Sequence, residues 1–224
     1  MNTFSLYKLA NFNYTHVSVL AATARPGPIR QARVGPDYCQ TEREQPMLTL
    51  DKIYHAKFVL KQVARKTDLI AATRLCPGTD LYLKTENLQV TGSFKVRGAY
   101  YKISQLSAEE RAKGVIACSA GNHAQGVALA ATRMGIKSVV CMPDGAPIMK
   151  VESTKRLGAE VELVKGTYDD AHDRAVELQE QTGMTFIHPY DDELVIAGRE
   201  RLVSKSSTNC PMWTRSSCLS AAAA

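Results

Sequence analysis

The residue with the clearest chemical potential is Lys95, in the segment Thr85-Glu-Asn-Leu-Gln-Val-Thr-Gly-Ser-Phe-Lys95-Val-Arg-Gly98. An apolar run precedes this segment and a helical pattern follows, so the lysine is expected at a helix start, just past a strand end. The positive pole of the helix dipole there disfavours an ammonium and favours the neutral amine that forms an imine. Because most lysines are solvated, an exposed helix face is the alternative interpretation.

A second segment, Cys118-Ser-Ala-Gly-Asn-His-Ala-Gln-Gly126, also follows an apolar run and opens a helical pattern. Its small residues allow a ligand to approach the backbone closely. The N–H groups in the first turn of a helix can bind an anion. The segment therefore predicts an anion-binding loop, although Ser119 or Asn122 taken alone is also typical of a helix cap.

Short apolar runs alternate with longer helical patterns between about residues 81 and 198. This alternation predicts an α/β fold with a doubly wound parallel sheet covered on both faces. Ligands of such sheets bind in the strand-to-helix loops, here near 85–95, 119–123 and 143–146. The expected strands are Leu81–Lys84, Val115–Cys118, Ser138–Met142, Glu160–Val164 and Thr185–His188, and the expected helices lie near 94–106, 122–134, 147–157 and 168–183.

Asn87 to Gly98 resembles the pattern N-x-Q-x-T-G-S-F-K-x-R-G-A of the threonine and serine dehydratases. These are enzymes of pyridoxal-phosphate (PLP) fold type II. The resemblance implies that Lys95 carries PLP as a Schiff base, that Phe94 packs beside the ring and that Asn122 hydrogen-bonds its phenolic oxygen. It further implies that the substrate carboxylate binds to the loop formed by Ser119, Ala120, Gly121, Asn122 and His123. For His123 we favour a structural hydrogen bond over proton transfer.

The family resemblance also indicates the type of reaction. In the related serine racemases the position of Ala120 holds a serine that acts as acid and base on the face opposite the lysine, and alanine has no such proton. We therefore expect elimination, which converts L-threonine to 2-oxobutanoate and ammonia, with slower conversion of L-serine to pyruvate. A serine dehydratase or racemase is the alternative enzyme. The amino-acid substrate is a small molecule, and the resemblance implies a homo-oligomer when the protein is full length.

Three other polar segments are assigned no chemistry. The turn Met142-Pro-Asp-Gly-Ala-Pro147, with Lys150 beyond it, is typical of a tight turn. His188-Pro-Tyr-Asp-Asp192 is interpreted as structural. The acidic and histidine residues near 170 point in different directions on a helix, so a solvated helix start is expected and no metal site: Asp169, Asp170, His172 and Asp173.

Composition narrows the function classes. The net charge is +6, yet the basic excess lies at the ends: residues 1–45 hold five Lys and Arg against three Asp and Glu, and Arg199 onward holds four against one. Residues 46–198 hold 19 Lys and Arg against 18 Asp and Glu and are therefore about neutral. They lack the basic stripe that nucleic acid binding requires. No apolar run could cross a bilayer, and six cysteines without a C-x-x-C pair favour a reducing compartment. We expect a cytoplasmic protein without nucleic acid or membrane partners.

The two ends differ from the patterned region. We predict that residues 1–46 are disordered or an extension before the true start at Met47, with Asp51 capping a helix that carries Ile53, Phe58, Val59 and Val63. The amino-terminal part of the lyase domain is predicted at 47–198.

After Gly198 the family continues with the pattern Q-G-T-I-G-L-E-I. Codons for this pattern, read with a shift of one base, encode Arg-Glu-Arg-Leu-Val-Ser-Lys-Ser, which is the sequence of this chain from Arg199. We therefore predict that residues 199–224 are frameshifted and lack the glycine loop that holds the PLP phosphate in the family. Little cofactor binding and lost or reduced activity would follow. The alternative of another class is an inactive fragment, or an interaction partner of full-length subunits.

Overall fold

The computed structural model describes residues 48–72, 74–75 and 82–200, together with the backbones of two short strands. In chain order the elements are β1 (Val19–Ala21), α1 (Leu50–Val59, continued by a 3-10 turn at Leu60–Gln62), β2 (Leu69–Ala71), β3 (Tyr82–Lys84), a 3-10 turn (Glu86–Leu88), α2 (Lys95–Ser104), α3 (Ala108–Lys113), β4 (Val115–Cys118), α4 (Asn122–Arg133), β5 (Ser138–Pro143), α5 (Ile148–Arg156), β6 (Glu160–Val164), α6 (Tyr168–Thr182), β7 (Thr185–Phe186), α7 (193–200) and β8 (Ser217–Leu219).

Four strands form a parallel sheet in the order β6-β5-β4-β7. The two central strands, β4 and β5, are nearly continuous apolar runs because helices cover both faces, whereas the edge strand β6 carries Glu160 and Glu162. Val115 and Ala117 of β4 pack with α2 and α4, whereas Ile116 and Cys118 of the same strand pack with α6. Strand β5 alternates in the same way between α6 on one face and α4 with α5 on the other. The predicted doubly wound α/β fold is therefore confirmed.

The first predicted strand is not part of this sheet. Tyr82–Lys84 pairs antiparallel with Leu69–Ala71 in a separate two-stranded sheet, and Leu81 lies outside the described residues. The ten intervening residues are too few for the helical crossover that parallel neighbours need. An apolar run of three or four residues does not by itself distinguish the two kinds of pairing, which is why the expectation was wrong at this strand.

Two helix starts also differ from the expectation. Thr49, not Asp51, is the N-cap of α1: its backbone is extended and its side-chain oxygen accepts a hydrogen bond from the N–H of Lys52. Asp51 lies in the first turn, where its charge suits the helix dipole. The helix α3 was missed, although Ser107 and Glu110 form a capping box, an S-x-x-E signal that is readable in the sequence.

The remaining predictions for the chain ends fall mostly outside the described residues. Residues 1–46 and 201–224 are described only at the backbones of β1 and β8, which pair antiparallel. The predicted boundary after Gly198 falls within α7, which runs through residues 199 and 200. Among the described helices, none has the length and apolar character needed to span a bilayer.

Candidate active site

The start of α2 lies directly against α4. A Cβ atom built on Gly126 of α4 would lie 3.1 Å from the backbone nitrogen of Val96 and 3.2 Å from the carbonyl carbon of Lys95. A side chain at this position would require the backbone of α2 to shift by a few tenths of an ångström. Asn122 and His123 lie one turn before Gly126 on the same helix, so the contact brings the predicted lysine and the predicted anion-binding loop to one place.

This place is the carboxyl edge of the parallel sheet. The N–H of Ser119, just past β4, donates to the carbonyl of Cys141 in β5 over 3.2 Å. The N–H of Ile187, just past β7, donates to the carbonyl of Ile116 over 2.8 Å. The loops after β4 and β7 therefore lie side by side, at the edge where ligands of such sheets bind.

Lys95 is half-buried and points towards the loop after β7. Its Nζ donates to the carbonyl oxygen of Pro189 over 2.9 Å and lies 5.8 Å from the centroid of the Phe94 ring. The guanidinium carbon of Arg199 lies 5.1 Å from the same ring, and its Nη1 is 3.4 Å from the Pro189 carbonyl. The segment after β7, which the sequence analysis interpreted as structural, thus supplies the acceptor for the candidate amine.

The pKa of Lys95 is lowered to about 8. Burial is the main cause, and the positive charge of Arg199 contributes. The helix dipole alone, the cause that the sequence indicates for a lowered pKa, does not include the charge of Arg199. Arg199 reaches the site because Gly98 and Gly198 let α2 and α7 approach closely: a Cβ on Gly198 would lie 2.7 Å from the carbonyl oxygen of Arg97. At neutral pH an appreciable share of the amine is therefore uncharged.

The loop at 119–123 keeps the amino end of α4 open. No side chain caps this helix. The hydroxyl of Ser119 instead accepts from the N–H of Gly121 over 3.2 Å, which shapes the turn before the helix. A Cβ on Gly121 would meet no atom within 4 Å. Space next to uncapped N–H groups is what an anionic ligand group needs.

His123 is buried and neutral. Its Nε2 forms a hydrogen bond of 2.9 Å with the carbonyl of Ile187. Burial lowers the pKa of His123 to about 3, which the charge of nearby Lys95 favours further. The imidazole therefore joins α4 to the loop after β7. This contact agrees with a structural role and gives no support to proton transfer at neutral pH.

A buried ionic network holds the Lys95 segment in place, and sequence reasoning did not find it. Arg97 donates from Nε and Nη2 to the two carboxylate oxygens of Glu86 over 2.8 and 2.9 Å. Thr67 donates its hydroxyl to the same carboxylate. Gln89 exchanges two hydrogen bonds of 2.8 Å with the backbone of Arg65. Gln89 and Arg97 belong to the N-x-Q-x-T-G-S-F-K-x-R-G-A pattern, so these two motif positions position the loop.

Lys150, to which the sequence assigned no chemistry, also contacts a residue of the site. Its Nζ donates to the side-chain oxygen of Asn122 over 2.7 Å. By contrast, the acidic cluster near residue 170 starts a helix, as Asp170 forms a capping box with Thr167. Among the described residues no group of three metal-ligating side chains is present.

Replacing Gly126 with alanine should loosen the contact between α4 and α2. Alanine is the better helix former by about 1 kcal/mol. Overpacking, however, costs roughly 1–3 kcal/mol, because all three atoms that the new Cβ would meet are backbone atoms. We expect a net loss of about 1 kcal/mol in the free energy of unfolding, measured in urea. Gly145→Ala is the control, since a Cβ there meets nothing within 4 Å. Equal stability of the two variants would contradict the close approach.

Comparison with known proteins identifies the family of this site. The model of the family "Pyridoxal-phosphate dependent enzyme" matches residues 60–204. An L-threonine ammonia-lyase of Thermotoga maritima is 51% identical over 155 residues, which cover 68% of this chain and 39% of that protein. A catabolic L-threonine dehydratase of Staphylococcus aureus is 46% identical over 156 residues, which cover 68% of this chain and 45% of that protein. This chain thus spans less than half the length of these curated relatives.

Solved structures of related enzymes support the same family assignment. The processed form of threonine deaminase isoform 2 from Solanum lycopersicum superposes with a TM-score of 0.65 at 38% identity, covering 72% of this chain and 46% of that one. Maize serine racemase superposes with a TM-score of 0.69 at 32% identity, covering 72% and 50%. Both matches take in most of the described residues. From its sequence and its fold, this chain belongs to the pyridoxal-phosphate dependent enzymes.

Proposed function

We propose that the protein deaminates L-threonine to 2-oxobutanoate and ammonia, with slower conversion of L-serine to pyruvate. The observation that carries the proposal is the half-buried amine of Lys95, whose pKa is lowered to about 8, on a backbone that lies against α4, whose start is uncapped and whose His123 senses the charge of Lys95. The names of the Thermotoga and Staphylococcus relatives support the choice of L-threonine.

The described residues fit the cofactor of the family. Lys95 offers an amine that loses its proton easily, Phe94 offers an aromatic surface next to it, and the open space at Gly121 leaves room for a ligand. Lys95 would hold PLP covalently and Asn122 would donate to its phenolic oxygen. When bound, PLP supplies an electron sink that stabilises negative charge on the α-carbon of the substrate.

The chain's own residues supply binding and proton transfer. The N–H groups at the start of α4 and the hydroxyl of Ser119 bind the substrate carboxylate, which fixes the orientation of the α-carbon. The amine of Lys95, once free of its covalent bond, takes the α-proton, and a base whose pKa lies near the working pH suits that task. His123 remains neutral and holds the loop in position.

Ala120 favours elimination over racemisation. Racemisation requires an acid that protonates the α-carbon on the face opposite the lysine. A methyl group can neither deliver nor accept a proton, so Ala120 cannot serve as that acid. The competing function, serine dehydration or racemisation, is favoured by one observation, the superposition on maize serine racemase.

Product analysis distinguishes the two functions. The purified chain is incubated with excess PLP and either L-threonine, L-serine or D-serine, and 2-oxobutanoate, pyruvate and the serine enantiomers are measured. We expect slow turnover, more 2-oxobutanoate than pyruvate, and no D-serine formed from L-serine. Ala120→Ser should introduce measurable racemisation. Racemisation by the unchanged chain would establish the competing function, and absence of any PLP adduct would favour an inactive fragment or an interaction partner.

We also propose a cytoplasmic location and self-association. Cys118 and Cys141 are buried, unpaired thiols, which suit a reducing compartment. Leu50, Tyr54 and Phe58 are each more than 60% exposed and recur every four residues along α1. An exposed apolar stripe of this kind supports contact with a second subunit.

A further inference from the structure

Lys150 lies in the first turn of α5, the helix that follows β5. It contacts the side chain of Asn122, at the start of α4. Its ammonium donates to Oδ1 of Asn122 over 2.7 Å. The lysine side chain is half-buried, and burial lowers its pKa. Within the part of the chain that the structure describes, no carboxylate lies within 4 Å of this ammonium. A half-buried charge paired only with a neutral amide is unusual, because burial without a counter-charge is costly.

This contact determines which way the Asn122 amide faces. An asparagine amide offers an oxygen that accepts and a nitrogen that donates, and the two ends are interchangeable by rotation about one bond. A lysine ammonium can only donate. The amide oxygen must therefore face Lys150, and the amide nitrogen, with its two N–H bonds, must face away from it.

We propose that Lys150 is a positioning residue that holds the amide of Asn122 with its N–H bonds turned towards the ligand. Asn122 then presents donors alone, and the group that it recognises must be an acceptor, best an anionic oxygen. The positive charge of Lys150 polarises the amide and strengthens this donation. The inference rests on the proposed function, because the anionic oxygen in question is the phenolic oxygen of PLP.

The first test needs no cofactor. In a two-dimensional ¹⁵N–¹H spectrum the side-chain NH₂ pair of Asn122 is identified by its loss in Asn122→Ala. In Lys150→Met we expect this pair to shift and its exchange with water to speed up about tenfold. Lys150→Arg, which also donates, should restore the position of the pair. Lys155→Met is the control, since Lys155 lies on the same helix and is exposed. An unmoved Asn122 pair in Lys150→Met would overturn the proposal.

The second test measures cofactor affinity. PLP is titrated into each protein and the covalent product at Lys95 is trapped with borohydride and quantified by mass spectrometry. We expect the apparent Kd to rise about tenfold in Lys150→Met, to recover in Lys150→Arg and to stay unchanged in Lys155→Met. If PLP reacts at Lys95 with equal affinity in Lys150→Met, the positioning role fails while the proposed function stands. If wild type shows no product at Lys95 but the Asn122 pair depends on Lys150, the proposed function fails and the positioning stands.

Discussion

We expect that replacing Lys95 with alanine abolishes covalent capture of PLP and lowers the proposed turnover of L-threonine by at least ~10³-fold, on the scale of losing a general base that is also the covalent anchor. The structure gives the reason: the amine is half-buried and its pKa is lowered to about 8. The measurement is the 2-oxobutanoate formed per enzyme in the presence of excess PLP, together with the amount of borohydride-trapped adduct.

Two further variants make the Lys95 experiment specific. Lys95→Arg should be as inactive as Lys95→Ala, because a guanidinium stays charged at every working pH and cannot replace a neutral amine. Lys155→Ala removes an exposed lysine and should keep the activity of wild type. Unfolding midpoints should be similar for all three, which excludes misfolding as the cause. Turnover retained in Lys95→Ala would contradict the assignment.

Breaking the Glu86–Arg97 pair has the largest expected effect on stability. Glu86→Gln keeps the size of the side chain but leaves the Arg97 guanidinium buried without its counter-charge. Loss of one partner from a buried pair typically costs about 3–5 kcal/mol, and Glu86 is fully buried beside a side chain only 7% exposed. We expect a decrease of this size in the free energy of unfolding in urea, accompanied by weaker PLP capture, since the pair joins the two ends of the segment that contains Lys95.

The control for this variant is a pair of the same residue classes at the surface. Glu109 and Lys113 form an exposed ion pair over 2.7 Å on α3, and surface pairs of this type contribute little. Glu109→Gln should therefore leave the urea midpoint unchanged. An equally small effect of Glu86→Gln would contradict the role assigned to the buried pair.

The effect of Glu86→Gln should also depend on pH. Burial raises the pKa of Glu86, but the hydrogen bonds from Arg97 and Thr67, together with the charges of Arg97 and Lys84, outweigh burial and leave the pKa below its usual 4.5. A lowered carboxylate pKa contributes stability above the unfolded value, and that contribution is lost as the pH falls through the folded value. The stability difference between wild type and Glu86→Gln should therefore be full at neutral pH and shrink in acid below about pH 4.5.

The sequence predicted those parts of the fold in which apolar runs alternate regularly with helical patterns. Strands β4 and β5 are apolar on both faces, the edge strand β6 carries two glutamates, and each of the three is followed by a regular helix, so their parallel arrangement was readable. Strand β3 has only three residues, and its antiparallel partner β2 is equally short. Its pairing depends on the short connection more than on any pattern of side chains, and it was predicted wrongly.

For the site, the sequence indicated which residues carry chemistry but not what holds them. Lys95 and the 119–123 loop stood out because a lysine motif and a glycine-containing helix start are local signals. The partners of Lys95 lie far along the chain: Pro189 accepts from its amine and Arg199 lies beside the Phe94 ring. Contacts between residues some hundred positions apart arise from packing of α2, α4 and α7, and no local pattern encodes them. The contact of Lys150 with Asn122, 28 positions apart, likewise arises from packing, here of α5 against α4.

The central claim is that the amine of Lys95 is the one that bonds PLP, and peptide mapping tests it directly. The unmodified chain is mixed with PLP, reduced with borohydride and digested, and the pyridoxyl group is located by mass spectrometry. Lys150 is the natural competitor, because its amine is also half-buried with a lowered pKa. We expect the group on Lys95, and its displacement when L-threonine is added before reduction. A pyridoxyl group on Lys150, or one spread evenly over exposed lysines, would contradict the account.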